Sequence, residues 1–161
     1  MINTRSKKLI KGFSLLEFLI VIGIIAVLAL GGTVTYRGVF LERQLDGATQ
    51  KTVAVLKNAQ SRAISGENNS NWGVHFGGDP MIHLAYYYQL FYGPSYTSGT
   101  VVSTAYYPTS TIAATIGSQD VIFYKNSGQA DFTFSIALQL WSDASSRKTI
   151  TVHPNGLIES N

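Results

Sequence analysis

One carboxylate stands where its neighbours argue against it. Between residues 12 and 36 the only charged side chain is Glu17, set in a run of Leu, Ile, Val and Phe without proline. On membrane-insertion scales an acid in such a run costs ~2.5–3.5 kcal/mol. Glu17 must therefore snorkel, protonate or meet a cation. Three histidines are the other residues with chemical promise. His75 and His83 flank Asp79 across a turn signal, and His153 lies far along the chain. A zinc site needs three or four converging ligands, so these read as scattered strand and loop histidines, with no metal expected. There is no nucleophile elbow, phosphate loop or metalloprotease helix motif, and no carboxylate pair suited to acid–base work. The absence of cysteine excludes thiol catalysis, thiolate zinc sites and a disulfide scaffold. The chain is not expected to be an enzyme, and no cofactor is implied.

The element that carries Glu17 is long and apolar. Residues 12–36 would form a helix of about 37 Å at ~1.5 Å per residue, enough for a ~30 Å bilayer core. Before it come Arg5, Lys7, Lys8 and Lys11, with no acid among the first twelve residues. The positive-inside bias keeps such a leader in the cytoplasm. The formal charge of +3 is thus mostly leader; the remainder carries eight basic and nine acidic side chains. Two ordinary readings fit part of this. A secretory signal peptide would use Ala29-Leu30-Gly31 as its cleavage site, and a plain single-span anchor would explain the length. Neither explains Glu17.

The stretch Gly12-Phe13-Ser14-Leu15-Leu16-Glu17-Phe18-Leu19-Ile20-Val21-Ile22 resembles the signal of type IV prepilins and type II secretion pseudopilins. The resemblance implies that a prepilin peptidase cuts between Gly12 and Phe13, on the cytoplasmic side. It also implies that Phe13 is then N-methylated and that Glu17 is the residue of assembly. The new amine on Phe13 is positive, a carboxylate in a first helical turn is favoured by the macrodipole, and in lipid each charge wants the other. In a filament of this family the amine belongs to a neighbouring subunit. Many members have a proline late in the apolar helix; this chain has Gly31 and Gly32 there. Paired glycines also weaken a helix, by ~1 kcal/mol each relative to alanine, and are the candidates for a stretch that melts on assembly.

Residues 37–65 are expected to continue as an amphipathic helix. Leu41, Leu45, Ala48, Thr52, Leu56, Ala59 and Ala63 recur at three- and four-residue steps, and Gly66 is the stop. Strands follow. Residues 72–76 place Trp72, Val74 and Phe76 on one face, Gly77-Gly78-Asp79-Pro80 reads as a turn, and 81–92 as a second strand. Residues 100–115 have weak pattern. Residues 121–124 read as a short strand, Asn126-Ser127-Gly128 as a turn, and 131–141 as a strand with Phe132, Phe134, Ile136, Leu138 and Leu140 on one face. In 148–153 Ile150 and Val152 alternate with threonines, and Asn155-Gly156 signals a two-residue hairpin into Leu157-Ile158. The segments around Val121-Ile122-Phe123, Gly128, 132–140 and 150–158 loosely resemble the head of H-type minor pseudopilins.

The expected fold is α+β and pilin-like: a leader (1–12), an assembly helix (13–36), and a head (37–161) in which the helix 37–65 packs on one antiparallel sheet. The expected role is a structural, minor subunit of a type IV pilus or type II secretion pseudopilus. Its partners would be prepilin peptidase, other pilin or pseudopilin subunits and the inner-membrane assembly platform. It would cross the inner membrane once, head outward, before joining a surface or periplasmic filament. An adhesive or DNA-capturing minor pilin, or a secreted β-rich binding domain with an ordinary signal peptide, are the alternatives. Nucleic acid is not an expected partner. Arg147 and Lys148, with Lys125, are the only candidates for a weak DNA contact, and no Lys or Arg occurs from residue 63 to 124. Seven of nine tyrosines fall in 86–107; tyrosine suits recognition surfaces, but half of these rings are expected to pack the sheet.

Overall fold

The structure is a computed structural model that describes residues 14–79, 85–108, 111–115 and 117–161, without the side chains of 30–37, 79 and 85. The chain divides into two compact units, Met1–Val39 and Phe40–Asn161. One helix, α1 (Leu15–Ile64), contributes to both.

In the first unit α1 opens with the Phe18 N–H donating to the Ser14 carbonyl at 3.2 Å, and Glu17 sits in the first turn. Among the described residues no helix is long and apolar enough to cross a membrane. The described apolar side chains stop at residue 29, and residues 15–29 at ~1.5 Å rise reach only about 22 Å. The span expected over 13–36 therefore extends beyond the described side chains.

In the second unit the helical stripe is as the spacing predicts. Leu45, Ala48, Thr52, Leu56, Ala59 and Ala63 are buried and Leu41 is partly so. Full burial of a leucine such as Leu56 contributes ~1.5–3 kcal/mol. The helix stops at Gly66, whose φ of 67° lies in the left-handed region and whose N–H donates to the Ala63 carbonyl at 3.0 Å.

The head has two antiparallel sheets, where one was expected. The first has the order β3-β2-β1-β5, from β1 (Trp72–Asp79), β2 (Ala85–Tyr92), β3 (Thr100–Tyr106) and β5 (Gln119–Phe123). The second has the order β4-β6-β7-β8, from β4 (Ile112–Ala114), β6 (Phe134–Leu140), β7 (Arg147–Val152) and β8 (Ile158–Ser160). The weakly patterned stretch 100–115 hides the switch: β3 is an edge of one sheet and β4 an edge of the other. Both sheets and α1 share a single core. Phe76 of β1 stacks on Phe134 of β6 with centroids 5.1 Å apart.

Three local expectations are corrected, and a fourth is described only in part. Gly77 and Gly78 do not form a turn; β1 continues through them to Asp79. Gly77 is there because a Cβ would sit 2.7 Å from the Tyr87 ring across the strand pair. The strand expected over 81–92 is described from Ala85, and 81–84 lie outside the described residues. Phe132 does not join the inward face of β6: the strand begins at Phe134 and Phe132 is exposed. Asn155-Gly156 is not a two-residue hairpin. The Gly156 N–H donates to the His153 carbonyl and the His153 N–H to the Leu157 carbonyl, both at 2.8 Å, with Gly156 at φ 85°. That is a three-residue loop with glycine in the left-handed position. Gln60 of α1 fastens this loop, donating through Nε2 to the Gly156 carbonyl at 2.7 Å and to the Gly128 carbonyl at 3.0 Å.

Candidate functional site

The apolar half of α1 has no polar face. Leu15, Leu16, Phe18, Leu19, Ile20, Val21 and Ile22 are between 43% and 80% exposed, on every side of the helix. A helix apolar all round needs lipid or other helices around it. Glu17 is the only charged residue in 15–29, and among the described residues no cation pairs with it. Its place in the first turn sets the carboxylate beside the unpaired N–H groups of the helix start. Gly12 and Phe13, the two residues of the expected cleavage, lie outside the described residues. Gly31 and Gly32 fall within α1, in helical backbone.

Residues 7–33 match the family model described as the prokaryotic N-terminal methylation motif. The segment is a type IV prepilin-type signal. No curated protein and no solved structure matches the chain. The prepilin signal implies a pilin-like or pseudopilin precursor, processing by prepilin peptidase and assembly with other pilin subunits. It covers only the N-terminal segment and leaves the head to be read from its own geometry.

The head gathers one cluster that sequence reasoning missed. Alternation along β1 points Trp72, Val74 and Phe76 inward and His75 to the other face of the sheet, where it is buried all the same. His75 Nδ1 lies 2.5 Å from Asp120 Oδ1, its register partner on β5. Tyr96, from the loop after β2, stacks on the imidazole at 3.7 Å and 4°. Its hydroxyl donates to Gln89 Oε1 at 2.5 Å, and Gln89 Nε2 donates to Thr104 Oγ1 at 2.9 Å. Burial, then the nearby Tyr87 and Asp120, push the Tyr96 hydroxyl above its ordinary pKa. The cluster pins a loop to the back of a sheet and contains no nucleophile. The signal for it was the parity of His75 in β1; it was lost because β5 was expected to begin at 121, which left Asp120 outside.

His75 does not meet a second histidine in the described residues. His83 and the Asp79 side chain lie outside them, and among the described residues no three ligands converge. His153 lies 3.3 Å from Glu159 across the last hairpin. Of the candidate DNA contacts, Lys148 pairs with Asp46 at 3.4 Å and Arg147 is exposed beside it. Lys125 is held by Asn69 at the other end of α1. Asp46 and Gly66 are twenty residues apart on or beside that helix, ~30 Å at ~1.5 Å per residue, so Lys125 does not join the other two.

The tyrosines divide. Tyr86, Tyr88 and Tyr92 pack against the core, and Tyr107 is buried with its hydroxyl 2.8 Å from Thr52 Oγ1. Burial drives the Tyr107 hydroxyl far above its ordinary pKa. Tyr106 is exposed.

Proposed function

We propose that the chain is a structural, non-catalytic subunit of a type IV pilus or a type II secretion pseudopilus. One observation carries this reading: the methylation motif ends in a helix that is apolar on every side and bears a lone carboxylate in its first turn. In this reading the peptidase cuts between Gly12 and Phe13, and Phe13 is methylated. The precursor crosses the inner membrane once, with its head outside. The assembly platform then draws it into the filament through residues 13–36. There Glu17 meets the Phe13 amine of a neighbour, and the exposed apolar side chains find the helices of other subunits. The head, folded around a core of its own, rides on the filament surface.

The test is mass analysis of the N-terminus of protein purified from membranes of its own host. A start at N-methyl-Phe13 is expected. A start at Gly32 would establish an ordinary signal peptide and a secreted domain instead. Replacing Gly12 with a bulky residue should leave a full-length, membrane-bound precursor, because the peptidase needs a small group before the bond.

A further inference from the structure

The head has a groove with no counterpart among its own side chains. About 330 Å³ in volume, it is floored by Gln44 and Gly47 of α1, flanked by Arg43 and Lys51, and walled by Tyr88 and Tyr106. Three features mark it as built to be filled. Gln44 Oε1 is buried and, among the described residues, accepts no hydrogen bond; such an atom wants a donor. Arg43 and Lys51 make no ion pair among the described residues. Gly47 sits in mid-helix, where glycine costs ~1 kcal/mol relative to alanine, yet a Cβ there would meet nothing within 4 Å. The missing side chain leaves the groove open; it relieves no clash.

The opposite flank of the same turns leads to a carboxylate without an ion pair. Glu42 and Asp46 line a second depression there together with Ser145, Ser146, Arg147 and Lys148, and Lys148 already pairs with Asp46. At 3.6 residues per turn this flank is about half a turn from Gln44 and Lys51, with the core stripe between them. Trp141, half exposed, and Asp143 lead into the same loop. Hydrogen bonds from Ser145, and then from Ser146, hold Asp143 below the usual carboxylate range, so it stays charged. Asp143 makes no ion pair among the described residues.

The geometry points to a head-to-tail contact in which the Trp141–Asp143 loop of one copy enters the Arg43–Lys51 groove of the next. Carboxylate meets guanidinium and ammonium, and the indole packs on the tyrosines. Trp, Tyr and Arg are the residues that most often anchor such contacts. Because groove and loop lie on opposite flanks, no copy can fill its own groove. A contact between two different patches repeats, and repeats that do not close give a helical filament. The inference rests on the filament-subunit reading and deepens it. It also gives the chain a way to follow itself along the filament, which a subunit present once would not need.

The chain has no cysteine, so disulfide trapping reads single contacts. Full-length chains bearing Tyr106→Cys or Ser142→Cys are made in the host with its assembly components. Together they should give a mixed disulfide dimer, and neither alone should. A chain carrying both should give a ladder. Gly47→Leu, whose Cβ would meet nothing within 4 Å and whose side chain occupies the groove, should lower the yield at least about tenfold. Lys51→Glu should do the same, and Asp143→Lys in the partner copy should restore it. Self-crosslinking of either single-cysteine chain, or a ladder indifferent to Gly47→Leu and Lys51→Glu, would overturn the contact. So would the absence of mixed disulfide between chains that are cut after Gly12 and recovered in sheared filaments, and that result would leave the subunit reading intact. Chains that are never cut would overturn both.

Discussion

Two stretches of α1 obey opposite rules. In residues 15–29 the large apolar side chains are exposed on every side. In residues 41–63 they fall on one stripe, and that stripe disappears beneath two sheets. Both stretches are rich in leucine and alanine, and local propensity does not separate them. Periodicity does. The second stretch has a 3.6-residue period because half of its surroundings are water and half are its own sheets. The first has none because its surroundings are meant to be uniform. Each large side chain there gains ~1.5–3 kcal/mol on full burial, and among the described residues nothing buries any of them. The second stretch is stabilised by folding; in the function proposed above, the first is stabilised by insertion and assembly. A substitution in either should therefore leave the other's property untouched.

The strongest way to break this comparison is Glu17→Ala. It removes the one charge from the apolar stretch, so insertion should be unharmed, and the bond after Gly12 should still be cut. Incorporation into filaments should fall by orders of magnitude. An ion pair with one partner deleted leaves a buried charge that costs ~3–5 kcal/mol. Glu17→Gln should be milder, because its amide still accepts a hydrogen bond. Recovery of processed chain in the sheared-filament fraction measures this. Recovery at the wild-type level would remove the pairing mechanism and leave Glu17 without a task. A subunit at the filament tip lacks a neighbour above it, so its loss would be partial.

Leu56→Ala tests the other half. Leu56 is fully buried in the shared core, and its truncation should cost ~2–5 kcal/mol. The comparison demands that this loss appear in denaturant unfolding of a chain beginning at residue 37 and not in cleavage after Gly12. Such a chain keeps every core residue and both sheets, so it should be soluble and folded. A large processing defect in Leu56→Ala would mean that the two halves are not independent.

What was legible in the sequence follows the same division. The prepilin signal was readable because its meaning is local: a small residue, an aromatic one and a carboxylate at fixed spacing before a uniform apolar run. The helical stripe and its Gly66 stop were readable for the same reason. The inward faces of β1, β6 and β7 were readable from alternation. The partition into two sheets was not, because strand pairing is a long-range choice and β3 is almost entirely exposed, so it carries no alternation to read. The His75–Asp120 pair joins residues 45 apart, and neither residue is unusual within its own strand. The groove was invisible because it is defined by what Gly47 lacks. The glycine turn at 77–78 failed for a related reason: glycine marks a close approach as readily as a turn, and here the approach is Tyr87 lying against the strand.

The smallest expected effect sharpens the comparison by isolating one bond between the amphipathic half and its sheets. Thr52 Oγ1 already donates to the Ala48 carbonyl at 2.9 Å, so in the 2.8 Å contact with Tyr107 the phenol is the donor. Tyr107→Phe removes that donor and leaves a buried oxygen partly unmet, at ~0.5–1.5 kcal/mol near pH 7. Burial holds the folded Tyr107 pKa well above its ordinary value, whereas the unfolded phenol ionises near pH ~10. Below that pH both states are neutral and the wild-type advantage is complete. Above it the unfolded chain releases a proton that the folded chain retains. Wild-type stability then falls by at most about 1.4 kcal/mol per pH unit from this group. Tyr107→Phe lacks the group and escapes that slope. Tyr96, also raised by burial, titrates alike in both proteins and cancels in the difference. The gap between the two proteins should therefore be widest at pH 7–9, and should close or reverse by about pH 11. Urea unfolding of the chain beginning at residue 37, at several pH values, measures it. A gap that stays constant into alkali would show that Tyr107 reaches water in the folded state, and that this end of the amphipathic stripe is less firmly seated than its leucines.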